Sequence, residues 1–226
     1  MLVDNCRERG YARYRHYCSP VVHGQVIGNR AVERGQRKGR ILFMGNLFLV
    51  TGGSRSGKSD YARLLAESLP GPRVFVATCP VVDEETAERI ERHRRERSES
   101  LWDTVEEPMH PAPVVRESGR YKVVLIDCLT LWINNIMYRA HQSGERFNED
   151  DMIAKAAELI EACSATNGTV IIVTNEVGSG IVPEDKVSRL YRDLVGRCNR
   201  LIARHADAVT LVSCGIPLEL KKPSQG

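Results

Sequence analysis

Short apolar runs alternate with longer amphipathic stretches from Leu47 onward, which is the rhythm of parallel strands joined by helical crossovers. Several runs are continuously apolar, as expected for strands that are covered on both faces. The predicted strands are residues 47–51, 74–77, 123–127, 169–174 and 208–212. The predicted helices are residues 58–68, 84–97, 129–140, 149–165 and 186–205. We therefore expect one α/β domain with a mostly parallel sheet flanked by helices.

Two segments between the predicted helix 84–97 and the predicted strand 123–127 are harder to assign. Residues 102–108 fit either an edge strand or a nucleotide contact. Residues 108–113 contain three prolines in six positions, which cannot continue a helix, so this segment is predicted to be a loop.

The first predicted strand leads directly into a phosphate-binding sequence. It reads Gly52-Gly53-Ser54-Arg55-Ser56-Gly57-Lys58-Ser59, a complete G-x-x-x-x-G-K-S loop between a strand and a helix. Glycines let successive backbone N–H groups turn inward around a phosphate, while Lys58 reaches the outer phosphates and Ser59 can hold Mg²⁺. The positive end of the following helix dipole adds to the same site. This pattern predicts a P-loop nucleotide-binding protein.

A carboxylate closes the apolar strand 123–127. Asp127 is placed where P-loop enzymes hold or position Mg²⁺ beside the loop serine. Many strands end in Asp as a turn or cap residue, but the upstream loop favours a metal site formed by Ser59 and Asp127.

Residues 83–97 are unusually charged and contain Glu–Arg pairs four residues apart, typical of an exposed helix. Within this run His93 is surrounded by basic side chains, which favours a neutral, nucleophilic imidazole and can neutralise a polyphosphate. The basic neighbours are Arg92, Arg94, Arg95 and Arg97. The helix is either a solvated face or a second phosphate site.

Residues 175–183, Asn-Glu-Val-Gly-Ser-Gly-Ile-Val-Pro, follow the strand 169–174. They fall at the carboxyl edge of the predicted sheet, where open parallel sheets bind ligands. A substrate or catalytic loop and a purely structural loop both remain open.

Composition is ordinary for a globular protein, with 42% apolar and 27% charged residues. The sequence contains no apolar run near the ~20 residues of a membrane span and no secretory signal, so we expect a cytoplasmic protein. Seven cysteines are scattered without a C-x-x-C pair, which favours reduced structural thiols.

Charge is distributed unevenly. Residues 1–43 carry nine Lys or Arg against three acidic residues, a net +6, which leaves −3 for the remainder. This arm lacks apolar periodicity and precedes Met44, just before the first strand. We expect a disordered N-terminal extension, residues 1–43, produced by an upstream start-codon assignment, followed by the catalytic domain 44–226.

Six ordered motifs together resemble the bifunctional adenosylcobinamide kinase/adenosylcobinamide-phosphate guanylyltransferase family. They are residues 51–59, 77–79, 89–93, 102–108, 127–132 and 175–183. The resemblance runs from about residue 44 to residue 221. It implies two steps of cobalamin biosynthesis: phosphorylation of adenosylcobinamide, then transfer of GMP from GTP to adenosylcobinamide phosphate.

The resemblance also implies site residues. In that family a histidine carries GMP covalently, and the matching position is His93. The nucleotide would be surrounded by the P-loop, Ala77, Thr78, Cys79, Arg94, Arg95, Glu96, Arg97, Glu106 and Asp127. ATP and GTP would be the substrates, with Mg²⁺, and the fold would be recombinase-like. The family further implies a homo-oligomer, with a trimer as its pattern, and no nucleic-acid partner. Because the two steps use different phosphorus atoms, we expect the helix 84–97 to move.

Two other function classes are open to this sequence. A P-loop ATPase acting on nucleic acid would use residues 1–43 as a basic tether, and salt-sensitive nucleic-acid binding would favour it. A nucleotide-binding regulatory protein would not need both Lys58 and Asp127, so retention of both argues against it.

Overall fold

The computed structural model describes residues 46–80 and 102–222. The predicted helix 84–97 and the basic extension 1–43 lie outside these residues. The described strands are β1 (Leu47–Gly52), β2 (Arg73–Ala77), β3 (Trp102–Glu106), β4 (Val123–Asp127), β5 (Thr169–Val173), β6 (Ala208–Ser213) and β7 (Ile216–Lys221). The described helices are α1 (Lys58–Ser68), α2 (Pro111–Arg116), α3 (Leu129–Gln142), α4 (Glu149–Ala165) and α5 (Lys186–His205).

The described strands form one sheet in the order β3-β2-β4-β5-β1-β6-β7. Neighbouring strands are parallel, except that β7 runs antiparallel to β6. The mostly parallel sheet flanked by helices is thus confirmed. All parallel strands end at the same edge, so the loops after β1, β2, β3, β4 and β5 meet there.

The apolar runs are continuous because both faces of the sheet are buried. In β5, Val170 and Ile172 pack into the core beneath α2, α3, α4 and α5, whereas Ile171 and Val173 pack on the side of α1. All four side chains are fully buried. Each contributes about 1.5–3 kcal/mol through removal from water, and together they fix the central strand rigidly.

The proline-rich segment 108–113 differs from its prediction as a loop, because α2 begins at Pro111. Proline is well suited to the first position of a helix, where its missing N–H has no intrahelical partner to lose. The Glu107 Oε1 accepts hydrogen bonds from the backbone N–H groups of Met109 and His110, both at 2.8 Å, and so stabilises the entry to the helix. The loop prediction is therefore wrong from Pro111 onward.

Residues 102–106 form a strand at the edge of the described sheet. β3 covers Trp102–Glu106 and, among the described strands, pairs only with β2. A nucleotide contact of this segment stays a prediction. β7, at the opposite edge, was not predicted, since its alternating pattern includes Pro217 and leaves Ile216, Leu218 and Leu220 exposed.

Within residues 46–80 and 102–222, every helix is too short or too polar to cross a bilayer.

Candidate nucleotide site

The phosphate-binding sequence forms a tight loop between β1 and α1. Gly57 has a φ of 87° and Arg55 a φ of 58°, so the backbone turns through the left-handed region twice around Ser56. Turns of this kind direct backbone N–H groups into a concave anion site. At Gly52 a side chain would collide with the Val212 carbonyl oxygen and lie 2.5 Å from Ser56 Oγ, so only glycine fits there.

Lys58 is held inside this loop. Its Nζ donates a hydrogen bond to the Gly53 carbonyl oxygen at 3.1 Å, and the residue is only 9% exposed. Gly57, at the N-cap of α1, has no side chain that could accept hydrogen bonds from the first N–H groups of the helix. Ser56 Oγ is likewise buried without a hydrogen-bond partner among the described residues. The loop thus presents donors of the kind that bind phosphate.

The β6–β7 turn braces the loop from the other side. The Gly215 backbone N–H donates to the Ser56 carbonyl oxygen at 2.8 Å. A Cβ on Gly57 would lie 3.3 Å from the Gly215 Cα, which shows how closely the two turns pack. This support was not foreseen, because β7 itself was not predicted.

Three of the predicted nucleotide residues stand in one row at the carboxyl edge. Ala77 pairs with Glu106 on one side and with Asp127 on the other. With strands about 4.8 Å apart, the row spans roughly 10 Å. Asp127 is in turn level with Val173, and Val173 with Val50, two residues before the P-loop begins. The fold therefore brings Ala77, Glu106 and Asp127 to the same edge as the P-loop.

Thr78 and Cys128 link the ends of β2 and β4. The Thr78 hydroxyl accepts a hydrogen bond from the Cys128 N–H at 2.7 Å and donates one to the Cys128 carbonyl oxygen at 2.8 Å. Thr78 is completely buried, and its hydroxyl is used in both of these hydrogen bonds. Burial, together with the neighbouring Asp127 charge, raises the pKa of the Cys128 thiol to about 11, which makes it a structural group. The Lys58 charge acts on this pKa in the opposite direction.

The loop at 175–183 is fastened to the same edge. The Glu176 N–H donates to the Gly52 carbonyl oxygen at 3.1 Å. The Asn175 amide donates to Thr130 Oγ1 at 2.8 Å, while its own Oδ1 is buried without a hydrogen-bond partner among the described residues. Farther along, Ile181 is 97% exposed. The predicted position of this loop at the carboxyl edge is confirmed, and a role in binding substrate stays a prediction.

Ser59 and Asp127 offer a hydroxyl and a carboxylate, the oxygen donors that Mg²⁺ prefers. No cluster of three or more His, Cys, Asp or Glu side chains able to hold a metal by itself occurs in the described part of the chain. This donor set fits Mg²⁺, which typically takes one or two protein ligands and completes its shell with substrate phosphates and water.

The remaining predicted site residues, His93, Arg94, Arg95, Glu96 and Arg97, lie outside the described residues. Sequence reasoning also missed Asn135, whose amide bridges the loops after β2 and β3. The available signal was a polar side chain inside the apolar run of α3. All five described cysteines are free thiols, as predicted.

Comparison with solved structures gives neighbours of low identity. The crystal structure of flagellar accessory protein FlaH from Methanocaldococcus jannaschii aligns with a TM-score of 0.46 and 15% identity, covering 80% of each chain. The crystal structure of the KaiC-like protein PH0186 from Pyrococcus horikoshii OT3 aligns with a TM-score of 0.42 and 17% identity, covering 74% of this chain and 71% of that one.

Sequence relatives are much more similar. The protein of Escherichia coli (strain K12) named bifunctional adenosylcobalamin biosynthesis protein CobU is 38% identical over 183 residues, which cover 77% of this chain and 99% of that protein. The CobU protein of Salmonella typhimurium (strain LT2) is 34% identical over 186 residues, with the same coverage. A family model described as cobinamide kinase / cobinamide phosphate guanyltransferase matches residues 48–220, from within β1 to β7. The chain therefore belongs to the cobinamide kinase / cobinamide phosphate guanylyltransferase family.

Proposed function

We propose that this protein phosphorylates adenosylcobinamide and then transfers GMP from GTP to adenosylcobinamide phosphate, giving adenosylcobinamide-GDP and pyrophosphate. The observation that carries this proposal is the row formed by Glu106, Ala77 and Asp127 beside a complete P-loop, within a chain of this family. A single edge of the sheet thus has residues for phosphate, for a metal and for the rest of a nucleotide.

The P-loop serves the phosphates of ATP and GTP. Backbone N–H groups of residues 52–59 bind phosphate oxygens, and Lys58, close to Gly53, reaches toward the transferred group. Ser59 and Asp127 would hold Mg²⁺, which when bound would neutralise charge on the phosphate oxygens. Lys58 is proposed as catalytic because its ammonium opposes charge that develops on the departing phosphate.

His93 is the proposed nucleophile of the second reaction. A neutral imidazole nitrogen attacks the α-phosphorus of GTP, the bond from that phosphorus to the bridging oxygen breaks, and pyrophosphate leaves with the electron pair. A phosphate oxygen of adenosylcobinamide phosphate then attacks the same phosphorus. The P–N bond breaks, and the imidazole is released. Arg94, Arg95 and Arg97, with Glu96, are proposed to contact the guanylyl group or pyrophosphate.

The corrinoid acceptor must approach this edge from solvent. The 175–183 loop is bonded to the P-loop through the Glu176 N–H, and its tip offers apolar surface, with Ile181 97% and Val182 59% exposed. We propose that this loop contacts the acceptor and that the enzyme acts as a homo-oligomer, with a trimer as the expected state.

The experiment is incubation of the full chain with Mg²⁺ and GTP labelled at the α-phosphate, comparing wild type with His93→Ala. His141→Ala, at an exposed position late in α3, is the matched control. We expect acid-labile, base-stable label on the wild type and on His141→Ala, and none on His93→Ala. Addition of adenosylcobinamide phosphate should discharge the label into adenosylcobinamide-GDP. A wild-type protein that binds GTP but takes up no label would exclude the histidine intermediate.

A further inference from the structure

Asn135, in the second turn of α3, makes two hydrogen bonds with a single amide group. Its Nδ2 donates to the Thr78 carbonyl oxygen at 2.8 Å and to the Pro108 carbonyl oxygen at 3.0 Å. Both protons of one side-chain nitrogen are therefore used, one for the chain leaving β2 and one for the chain leaving β3.

Within the described residues, the sheet joins these two loops only up to the row of Ala77 and Glu106. The last backbone bond between them runs from the Glu107 N–H to the Ala77 carbonyl oxygen at 2.9 Å. Thr78 and Pro108 follow immediately, so the Asn135 amide continues the connection where the backbone ladder stops. It thereby sets the spacing of the two loops at the edge where the nucleotide is proposed to bind.

Helix α3 holds Asn135 at a fixed position because the helix directly follows Asp127 and is packed into the core. Trp132, only 2% exposed, donates from its indole Nε1 to the Met109 carbonyl oxygen at 2.9 Å. Ile133 and Ile136, on either side of Asn135, are buried as well. The position of Asn135 relative to Asp127 is therefore fixed by packing.

We infer that Asn135 is a positioning residue for the nucleotide: beyond the end of the β2–β3 ladder it holds the Thr78 and Pro108 loops together, and so fixes the course of Thr78 and Cys79 beside Asp127. The inference rests on the proposed function for the assignment of those residues to a nucleotide. It predicts that Asn135 acts on nucleotide affinity without touching the ligand. By contrast, a residue that merely stabilises the fold would act on unfolding.

The fold can tolerate loss of this amide. β2 and β3 keep their own five-residue register from Arg73–Trp102 to Ala77–Glu106. Asn135 is only half-buried, so water can reach this region when the side chain is removed. We therefore expect Asn135→Ala to remain folded while the two loops lose their common tie.

The test compares Asn135→Ala and Asn135→Asp with Asn134→Ala in the full chain. Asn134 is the same residue type, one position earlier on the same helix, and exposed. Asp keeps the volume of Asn but offers no N–H group at neutral pH. The measurements are the melting temperature, the equilibrium Kd for GTP with Mg²⁺, and the KM for GTP and kcat for formation of adenosylcobinamide-GDP.

We expect both Asn135 variants to bind GTP more weakly by on the order of tenfold, with a melting temperature close to that of Asn134→Ala. KM for GTP should rise more than kcat falls. Unchanged GTP affinity in either Asn135 variant would overturn the inference, as would a loss of affinity that only parallels a loss of melting temperature. Wild-type protein that binds GTP without becoming guanylylated would instead show that the proposed function is wrong. The comparison of Kd values between the variants would still test the role of Asn135 in that case.

Discussion

The Thr78 hydroxyl is bonded to both backbone groups of Cys128, at 2.7 Å and 2.8 Å, and so ties the residue after β2 to the residue after Asp127. Thr78 itself is fully buried. A residue that family resemblance assigns to the nucleotide therefore has its side chain directed into the protein, where it fixes the strand end carrying the proposed metal ligand.

Replacing Thr78 by Val should weaken both stability and nucleotide binding. Valine keeps the shape but leaves the buried Cys128 N–H without its acceptor, which costs about 1–3 kcal/mol in the free energy of unfolding. Urea denaturation measures that cost, and GTP titration in Mg²⁺ measures the effect on the site. Thr78→Ser, which retains the hydroxyl, should bind GTP as the wild type does. A Val variant equal to wild type in both measurements would refute the assigned role.

Gly52→Ala and Gly53→Ala form a matched pair at the start of the P-loop. A Cβ at Gly52 would collide with the Val212 backbone carbonyl, whereas a Cβ at Gly53 meets no atom of the described residues within 4 Å. We expect the first variant to lose about 1–3 kcal/mol of stability from overpacking. The second should stay within about 0.5 kcal/mol of wild type. Thermal or urea unfolding measures the stability of both variants. Equal stabilities would show that β6 can shift to make room for the Cβ at position 52.

The strands and long helices follow from the sequence because each is dictated by local patterns. β4 and α4 have the predicted bounds, since a continuous apolar run and a long amphipathic period leave little choice. α2 was missed because three prolines suggest a loop, although Pro111 occupies the one helical position that suits it. The P-loop was likewise readable as a contiguous motif.

The contacts that shape the site could not be predicted from the sequence, because they join residues that are far apart in the chain. Asn135 and Thr78 are 57 positions apart, and Gly215 reaches Ser56 from the unpredicted hairpin. No local period marks such pairs. They arise only when parallel strands bring their carboxyl ends to one edge, which is a property of the whole sheet.

Cysteine labelling should separate buried from exposed thiols. Burial raises the pKa of Cys163 and of Cys198 to about 12, so almost no reactive thiolate exists at pH 8. Cys214 is exposed on the turn beside the P-loop. In native protein treated with iodoacetamide, peptide mapping should find Cys214 modified and both buried thiols unmodified, with all three modified in urea. Labelling of Cys163 in the native state at the rate of Cys214 would contradict this assignment.

Asp185 should give the start of α5 a dependence on acid pH. Its carboxylate accepts hydrogen bonds from the backbone N–H and the hydroxyl of Ser188, both at 2.7 Å, which lower its pKa from the ordinary value of 3.8. Since the folded pKa lies below the unfolded one, the stabilising contribution is complete above about pH 5 and is lost as the pH falls through the folded pKa.

Asp185→Asn keeps an oxygen that can cap the helix but does not titrate. The difference in urea midpoint between wild type and this variant should therefore shrink from about pH 5 to pH 2. A difference that stays constant over this interval would mean that the Asp185 charge contributes nothing to the fold.

Asp127 should make nucleotide binding depend on Mg²⁺. The carboxylate stands in register with Ala77, at the same edge as the P-loop, and Ser59 offers the second oxygen. For wild type we expect GTP affinity to fall when Mg²⁺ is removed with a chelator, because a metal held by Asp127 would neutralise charge on the phosphate oxygens. In Asp127→Asn the ratio of GTP affinities with and without Mg²⁺ should approach one, since a neutral amide binds Mg²⁺ more weakly than a carboxylate does. The exposed Asp193 of α5 provides the control, and Asp193→Asn should retain the wild-type ratio. Isothermal titration calorimetry of each protein with and without Mg²⁺ gives this ratio directly. A wild-type ratio in Asp127→Asn would show that Asp127 does not hold the metal.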